Sequence, residues 1–468
     1  MNILALLICA GIIIYLSSLN WRFSVKIVLV LLIFEGVLRK WVLPQASDAI
    51  YLLKDVILIG AYLSYFLSKR PPFKLKNNYT ETLNLLLFLS AIWCLVQSFN
   101  PDLGSFMVGL FGLSRYLLYI PLMWLVPNLF DSEEELYKFL RLYLLLVIPV
   151  CLLGIAQFYS PPSSPLNVYA GGAEATANNN FGGLDNVTRT RITGTFSYTN
   201  IYTAYLFVSF TYLLSFLFFE TSPIWKITAL VECFLIAVNF FMTGSRGIFI
   251  FSGLFLLGYL SLQSLSYPGA FMRFFKKLTI PLIIIFIAAP IWFKPAIDAL
   301  NQRVDNTNDA QERIFLAFTI PSELLKGKSF IDSYGTGATH TGGQAIRRLL
   351  NLPQGIAPPP AESELHRVAI ELGYFGFTLW YAMRLTILLA LWNVFKKLKR
   401  SFLQDMALTA FLYHLILLPA QVVVHPISVV YYWFFSSFIF LLPRLESLAN
   451  FHNYHLQKSD LSSESTHA

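Results

Sequence analysis

Residues 240–251, FFMTGSRGIFIF, decide the fold, because two long apolar segments meet there with only residues 243–247 between them. The glycines that flank Ser245 and Arg246 let the backbone turn sharply and approach another group closely. An arginine in this position lies where hydrocarbon gives way to water, and it either snorkels to the lipid headgroups or belongs to a functional site. The stretch therefore predicts a tight turn between two membrane spans and leaves both roles of Arg246 open.

Composition indicates an integral membrane protein. Of the 468 residues, 56% are hydrophobic and 13% are charged, whereas soluble globular proteins carry about 25% charged residues. Apolar runs of roughly 18 or more residues, which are typical of transmembrane helices, recur along the chain. The net charge of +8 indicates topology, so we expect no nucleic-acid partner. The sequence predicts an all-α polytopic membrane protein that lies in the lipid bilayer, with residues 1–468 forming one domain.

The apolar runs predict 12 to 13 transmembrane helices. Their ranges are 2–19, 25–43, 49–68, 81–99, 104–126, 136–158, 198–219, 224–242, 247–264, 277–293, 366–393, 403–421 and 426–443. The first run lacks a basic start and a cleavage site, so we predict a helix there and no signal peptide. Polar loops at 159–196 and 294–363 interrupt the series, and a polar tail at 444–468 follows it. All four cysteines lie inside apolar runs, as is typical of core residues.

Lysine and arginine predict the orientation. If the spans alternate in direction, five basic segments that link them fall on one side of the membrane: Arg22/Lys26, residues 69–76, Lys138/Arg141, residues 273–277 and residues 396–400. Short basic links stay in the cytoplasm. The two long loops, the TGSRG turn and Arg39–Lys40 then face outward, and the tail lies in the cytoplasm. Residues 294–363 are therefore expected to form one large extracytoplasmic loop.

Three arginines on the outward side are candidates for binding an anionic group. Residues 294–367 carry eight Lys/Arg and eight Asp/Glu, so this loop offers no general positive field. Individual arginines fit better, since a guanidinium grips phosphate oxygens in pairs. The candidates for such an anion-binding site are Arg191, Arg246 and Arg313. The alternative for each is a salt bridge to a neighbouring acid, as between Arg313 and Glu312.

Charged and polar residues within the spans allow two interpretations. Arg115, Glu232 and His414 lie deep in their apolar runs, where they either serve function or pair with each other to lock the bundle. Arg384, near the inner end of its span, is expected to snorkel. His340 lies in a Gly-rich stretch that we expect to be flexible and not to bind metal.

A second group of charges is predicted at the outer rim. It comprises Glu35, Arg39, Lys40, Asp48, Lys54 and Asp55. This group is either a structural salt-bridge network or the rim of a groove for the acceptor. The candidate residues of an acceptor or carrier groove are Arg39, Lys40, Arg115 and Ser245.

Several motifs in residues 189–380 together resemble the O-antigen ligase and polymerase superfamily. They are R-x-x-G-T-F-x-x-x-N at Arg191, Gly194, Thr195, Phe196 and Asn200; TGSRG at 243–247; an early loop arginine, Arg313; Gly335 and Gly337; and E-L-G-x-x-G at Glu371, Leu372, Gly373 and Gly376. The resemblance implies a bacterial inner-membrane glycosyltransferase of the GT-C type. Such enzymes take glycan from an undecaprenyl-diphosphate carrier on the periplasmic face, without a metal or other cofactor.

One departure from the family pattern bears on the acceptor. The ligases tend to carry a His-Asn pair where this chain has Glu362 and Ser363, with His366 one helical turn further on. We therefore favour a polymerase of exopolysaccharide, capsule or O-antigen repeat units over a ligase. A transporter or flippase remains a further alternative.

The mechanism that follows from the resemblance is inverting glycosyl transfer, in which the leaving diphosphate would be bound by Arg191, Arg246 and Arg313. Glu362 or His366 would take the proton from the acceptor hydroxyl, and Ser363 would cap the following helix. A flippase and a chain-length regulator are the expected partners.

Overall fold

The computed structural model describes residues 3–68, 79–170, 180–184, 187–220, 222–266, 329–361 and 363–464, with single positions at 172, 269, 272, 276, 294 and 297. The expected span at 277–293, Arg313 and Glu362 lie outside the described residues. The helices are α1 (Ile3–Leu19), α2 (Trp21–Val37), α3 (Ser47–Leu67), α4 (Thr80–Ser98), α5 (Phe106–Leu117), α6 (Leu122–Leu125), α7 (Glu133–Leu145), α8 (Val147–Tyr159), α9 (Thr199–Phe219), α10 (Pro223–Thr243), α11 (Arg246–Ser266), α12 (Thr341–Leu350), α13 (Glu364–Lys397), α14 (Ser401–Ile416), α15 (Pro426–Ser436) and α16 (Phe438–Glu464).

The polytopic helical architecture is confirmed, with fewer spans in the described part than the sequence predicts. Eight helical segments are long and apolar enough to cross a membrane, and α15 with α16, bent by 42°, would make nine. The first predicted span is a shorter apolar helix. The span expected at 403–421 ends as a helix at Ile416, because residues 417–425 leave the helix and fold against α13.

Two features depart from a plain bundle of helices. Strands β1 (Asn180–Leu184) and β2 (Val187–Thr190) pair antiparallel within the first long loop. Helix α13 is interrupted at Gly373, whose φ of 68° and ψ of −178° lie in a region that is essentially restricted to glycine. The loop segment before α13 binds at this break, since Tyr334 N donates to Ile370 O at 2.9 Å and Phe375 N to Phe330 O at 3.1 Å.

Polar contacts sort the helix ends into two groups, which we name the basic end and the turn end. At the basic end Arg22 pairs with Asp131 at 2.7 Å and Lys26 with Glu135 at 2.9 Å. Arg400 pairs with Glu133 at the same end. The turn end holds the TGSRG turn, residues 191–200, residues 329–361 and the segment 417–425. For the links Arg22/Lys26 and 396–400 this grouping matches the alternation that the Lys/Arg distribution predicts, whereas the links at 69–76 and, apart from Lys276, 273–277 lie outside the described residues.

The charges inside the bundle form ion pairs with partners far away in the sequence. Arg115 binds Asp55 at 2.5 Å and Arg141 binds Glu232 at 2.7 Å, with all four side chains buried. His414 is hydrogen-bonded to Ser436 Oγ at 2.9 Å. The expectation that Arg115, Glu232 and His414 pair with each other is therefore wrong, although each is satisfied inside the bundle.

Arg384 also corrects an expectation, because its side chain is buried and does not snorkel. Its guanidinium donates to Leu417 O at 2.5 Å and lies over the rings of Tyr381 and Tyr432 at 5.3 and 5.2 Å. Leu417 follows the end of α14, so Arg384 satisfies a carbonyl that the helix leaves without an internal partner. The residue therefore stabilises the irregular segment 417–425.

Candidate functional site

The TGSRG stretch forms the tight turn that its glycines predict. Helix α10 ends at Thr243, and Gly244 follows with a left-handed φ of 60° that reverses the chain. Gly244 N donates to Phe241 O at 3.1 Å, and Ser245 N donates to Thr243 Oγ1 at 3.3 Å. Helix α11 then begins at Arg246. The turn thus places an arginine and the free N–H groups of a helix N-terminus together.

Arg191 is held on this turn. Its Nε donates to Thr243 O at 2.9 Å, and its own carbonyl accepts from Tyr169 OH at 2.7 Å. Two of the three predicted anion-binding arginines, Arg191 and Arg246, are therefore brought to the same turn. Arg246 is half-buried and makes no ion pair or side-chain hydrogen bond with the described part of the chain.

Arg39 and Lys40 support the segment that carries Arg191. Lys40 Nζ donates to Thr193 Oγ1 at 3.0 Å and to Gly194 O at 2.8 Å. Arg39 donates to Ser197 Oγ at 3.2 Å. Both cations are buried, with 7% and 5% of their surface exposed. They do not line an open groove, which corrects that hypothesis.

Other charged residues predicted at the outer rim form a structural salt-bridge network, which is one of the two interpretations given for them. Glu35 pairs with Arg39 and with Lys54, each at 3.2 Å. Asp55 is occupied by Arg115, which is 3% exposed. Arg115 therefore cannot reach a substrate as a groove residue and instead ties α5 to α3.

A cleft of about 670 Å³ opens beside the turn, and we name it the turn cleft. Its lining combines apolar side chains, namely Phe207, Ile248, Phe251, Tyr413 and Leu417, with polar ones, namely Asn200, Thr203, Ser245, Ser363, Gln421, His425 and Ser428. Of the proposed groove residues, Ser245 is the one that lines it.

Four helices begin at the turn cleft. Its lining includes Asn200 in the first turn of α9, Gly247 in that of α11, Ser363 at the cap of α13 and His425 at the cap of α15. A helix N-terminus presents unpaired N–H groups and roughly half a positive charge. Four such termini around one cleft favour an anionic ligand.

Ser363 caps α13 as predicted, since its Oγ accepts from His366 N at 3.2 Å. His366 itself is only 4% exposed, so its ring does not lie at an open rim as the predicted proton acceptor would. Glu364, which the sequence did not single out, is buried and accepts from Val422 N and Val423 N at 3.2 Å each. Glu364 thereby fixes the segment 417–425 against the start of α13.

His425 is the titratable ring that the structure adds to the site. Asn200 Nδ2 lies 3.4 Å from its Nδ1, and Asn200 Oδ1 accepts from Ile201 N at 3.0 Å. Burial, with a smaller effect of Arg367, lowers the pKa of His425 to about 4, so the ring is neutral at pH 7. In the sequence, His425 directly precedes Pro426 at the outward start of an apolar run, and this position is the signal that could have identified it.

The Gly-rich stretch is packed, which corrects the expectation of flexibility. Thr336 Oγ1 donates to Gly109 O at 3.0 Å, and a Cβ on Gly112 would lie 2.3 Å from Gly337 N. Glu371 Oε1 accepts from Thr339 N at 2.9 Å. The Gly-rich piece and the E-L-G-x-x-G piece of the resemblance are thus in contact. His340 is buried and its pKa lies near 3, chiefly through burial.

Among the described residues, no group of three or more His, Cys, Asp or Glu side chains could hold a metal ion. Comparison of the chain with protein families, curated proteins and solved structures gives no match.

Proposed function

We propose that the chain is a membrane glycosyltransferase that joins polysaccharide repeat units from an undecaprenyl-diphosphate carrier. The observation that carries this proposal is the turn cleft, where four helix N-termini meet beside the Arg191–Thr243 contact. This arrangement supplies positive charge without a metal. It also agrees with the motifs that resemble the O-antigen ligase and polymerase superfamily.

The charge of the cleft suits the leaving group of such a reaction. When the sugar–phosphate bond breaks, its electrons go to the phosphate oxygen and negative charge grows there. Donors that are already aimed at this charge stabilise the transition state without reorganising. Arg191 and Arg246 flank the turn, and Ser245 and Gly247 line the cleft at the start of α11. Arg313 stays a prediction as a third ligand.

The apolar residues of the lining suit the lipid part of the same donor. Phe207, Phe251 and Tyr413 form an aromatic group, with the Phe207 and Tyr413 rings stacked at 5.8 Å and the Phe207 and Phe251 rings 6.2 Å apart. A polyprenyl diphosphate has an anionic head and a hydrocarbon tail. A cleft lined by both polar and apolar side chains therefore matches it better than a free nucleotide sugar.

The acceptor side of the reaction is less constrained. Glu362 stays the predicted proton acceptor, and the buried His366 is the weaker candidate. We propose a bacterial inner membrane with the turn end facing the periplasm, where a flippase would deliver the donor and a chain-length regulator would limit the product. Polymerase is favoured over ligase on the Glu362–Ser363 sequence alone.

The lipid-linked glycans of a deletion strain test this proposal. Accumulation of single repeat units on the carrier is the expected result, and the wild-type gene should reverse it. Long chains that remain on the carrier would instead indicate a ligase. Single units that stay on the cytoplasmic side would indicate a flippase, and an unchanged profile would contradict glycan assembly altogether.

A further inference from the structure

We propose that His425 donates a hydrogen bond from Nε2–H to the leaving diphosphate, and that Asn200 fixes the ring in the tautomer that can do so. This inference rests on the proposed function and names a role that neither the motifs nor the arginines assign. It makes His425 a neutral partner of the arginines at the turn cleft. Three observations lead to it.

The first observation is the orientation of the Asn200 amide. Its Oδ1 accepts from Ile201 N at 3.0 Å, so its Nδ2 is the atom that faces His425 Nδ1 at 3.4 Å. An amide nitrogen can only donate, so Nδ1 must be the acceptor. In a neutral imidazole the single proton then lies on Nε2. Asn200 therefore selects the tautomer in which Nε2 is a donor.

The second observation is the surroundings of the ring. His425 lines the turn cleft at the cap of α15, and Asn200 lines it at the first turn of α9. Nε2 of His425 makes no hydrogen bond within the described residues. The cation nearby is Arg367, whose guanidinium donates to Thr339 on the side of the Gly-rich stretch. The donor of His425 is thus available to a ligand in the cleft.

The third observation is the charge balance. Burial, with repulsion from Arg367 as a smaller effect, lowers the pKa of His425, so the neutral ring does not readily accept a second proton. During transfer the sugar–oxygen bond breaks and its electron pair stays on the diphosphate. A hydrogen bond from Nε2–H strengthens as that charge grows, and no proton has to leave the ring.

Two conservative substitutions separate a donor from a general base. His425→Gln retains an amide N–H near the position of Nε2, so a donor role is largely preserved and a base role is lost. Asn200→Asp places a carboxylate against Nδ1, which draws the proton to Nδ1 and leaves a lone pair on Nε2. A donor role is then lost and a base role is retained.

The test is chain growth in the deletion strain complemented with each variant, at matched protein level in the membrane. We expect His425→Ala and Asn200→Asp to slow chain growth by about 10²–10³-fold, and His425→Gln to stay within roughly tenfold of the wild type. His452→Gln, an exposed histidine at the basic end, is the matched control and should have no effect. Loss in His425→Gln with activity in Asn200→Asp would overturn the donor role, as would full activity in all variants.

Binding of farnesyl diphosphate to the purified protein separates this inference from the proposed function. If Arg246→Ala weakens binding while the His425 and Asn200 variants leave chain growth unchanged, only the role of His425 fails. If Arg246→Ala binds farnesyl diphosphate as the wild type does, the proposed function itself fails. Should His425→Ala not accumulate in the membrane, His425→Gln and Asn200→Asp still decide the question.

Discussion

Arg191 Nε donates to the carbonyl of Thr243 at 2.9 Å. Thr243 is the last residue of α10, so this carbonyl has no partner within its own helix. The bond fixes the guanidinium of the first long loop to the turn that begins α11. It also brings together an arginine and the TGSRG turn, which are 52 residues apart in the sequence.

The break in α13 predicts a strong effect of one small substitution. Gly373→Ala should destabilise the protein by about 1–3 kcal/mol, because its backbone conformation is essentially restricted to glycine. A Cβ there would also lie 2.5 Å from Asp332 O. The measurement is the thermal unfolding midpoint of the purified protein. Gly253→Ala, where a Cβ meets nothing within 4 Å, is the matched control, and equal midpoints for the two variants would contradict this reading.

The buried pair between Arg141 and Glu232 gives a second prediction. Arg141→Ala should lower the free energy of unfolding by about 3–5 kcal/mol, since it leaves a buried carboxylate without a partner. The double variant Arg141→Met with Glu232→Leu should recover much of this loss. Lys138→Ala removes a cation from an exposed pair, 68% and 73% accessible, and should leave the free energy of unfolding nearly unchanged. A small effect of Arg141→Ala would mean that Glu232 is neutral or hydrated.

The two ends of the bundle predict opposite chemical accessibility. In a variant without its four cysteines, Gln354→Cys lies at the turn end and Lys138→Cys at the basic end. A membrane-impermeant maleimide applied to spheroplasts should label position 354 at once. Position 138 should react only after permeabilisation. The reverse pattern would place the turn cleft in the cytoplasm and remove the proposed site from the periplasmic face.

Sequence reasoning anticipated the features that depend on local composition. Runs of apolar residues mark the spans, and the glycines of TGSRG mark the turn, since both signals lie within a few residues. The links Arg22/Lys26 and 396–400 also predicted helix ends that the structure brings together. Arg191 and Arg246 each accompany a glycine-containing turn, which predicts both as anion-binding residues, and the structure brings them together.

The remaining features depend on distant partners that a single sequence does not reveal. Arg115 is paired with Asp55 across 60 residues, and Arg39 and Lys40 are buried beneath the 193–197 segment. An apolar run likewise does not distinguish a span from the irregular segment 417–425. Such irregular backbone is stable where protein groups satisfy its polar atoms, as Glu364 and Arg384 do here. His425 lies in that segment, and its contact with Asn200, 225 residues away in the sequence, has no local sequence signal.

The most direct test of the central claim is the affinity of the turn cleft for a lipid diphosphate. Purified wild-type protein in nanodiscs should bind farnesyl diphosphate, and Arg191→Lys and Arg246→Lys should each weaken binding by about tenfold or more, because lysine lacks the paired donors of a guanidinium. Arg348→Lys, an exposed arginine on α12, should bind as the wild type does. Equal affinity of all four proteins, or equal affinity of the wild type for farnesol and farnesyl diphosphate, would contradict the account.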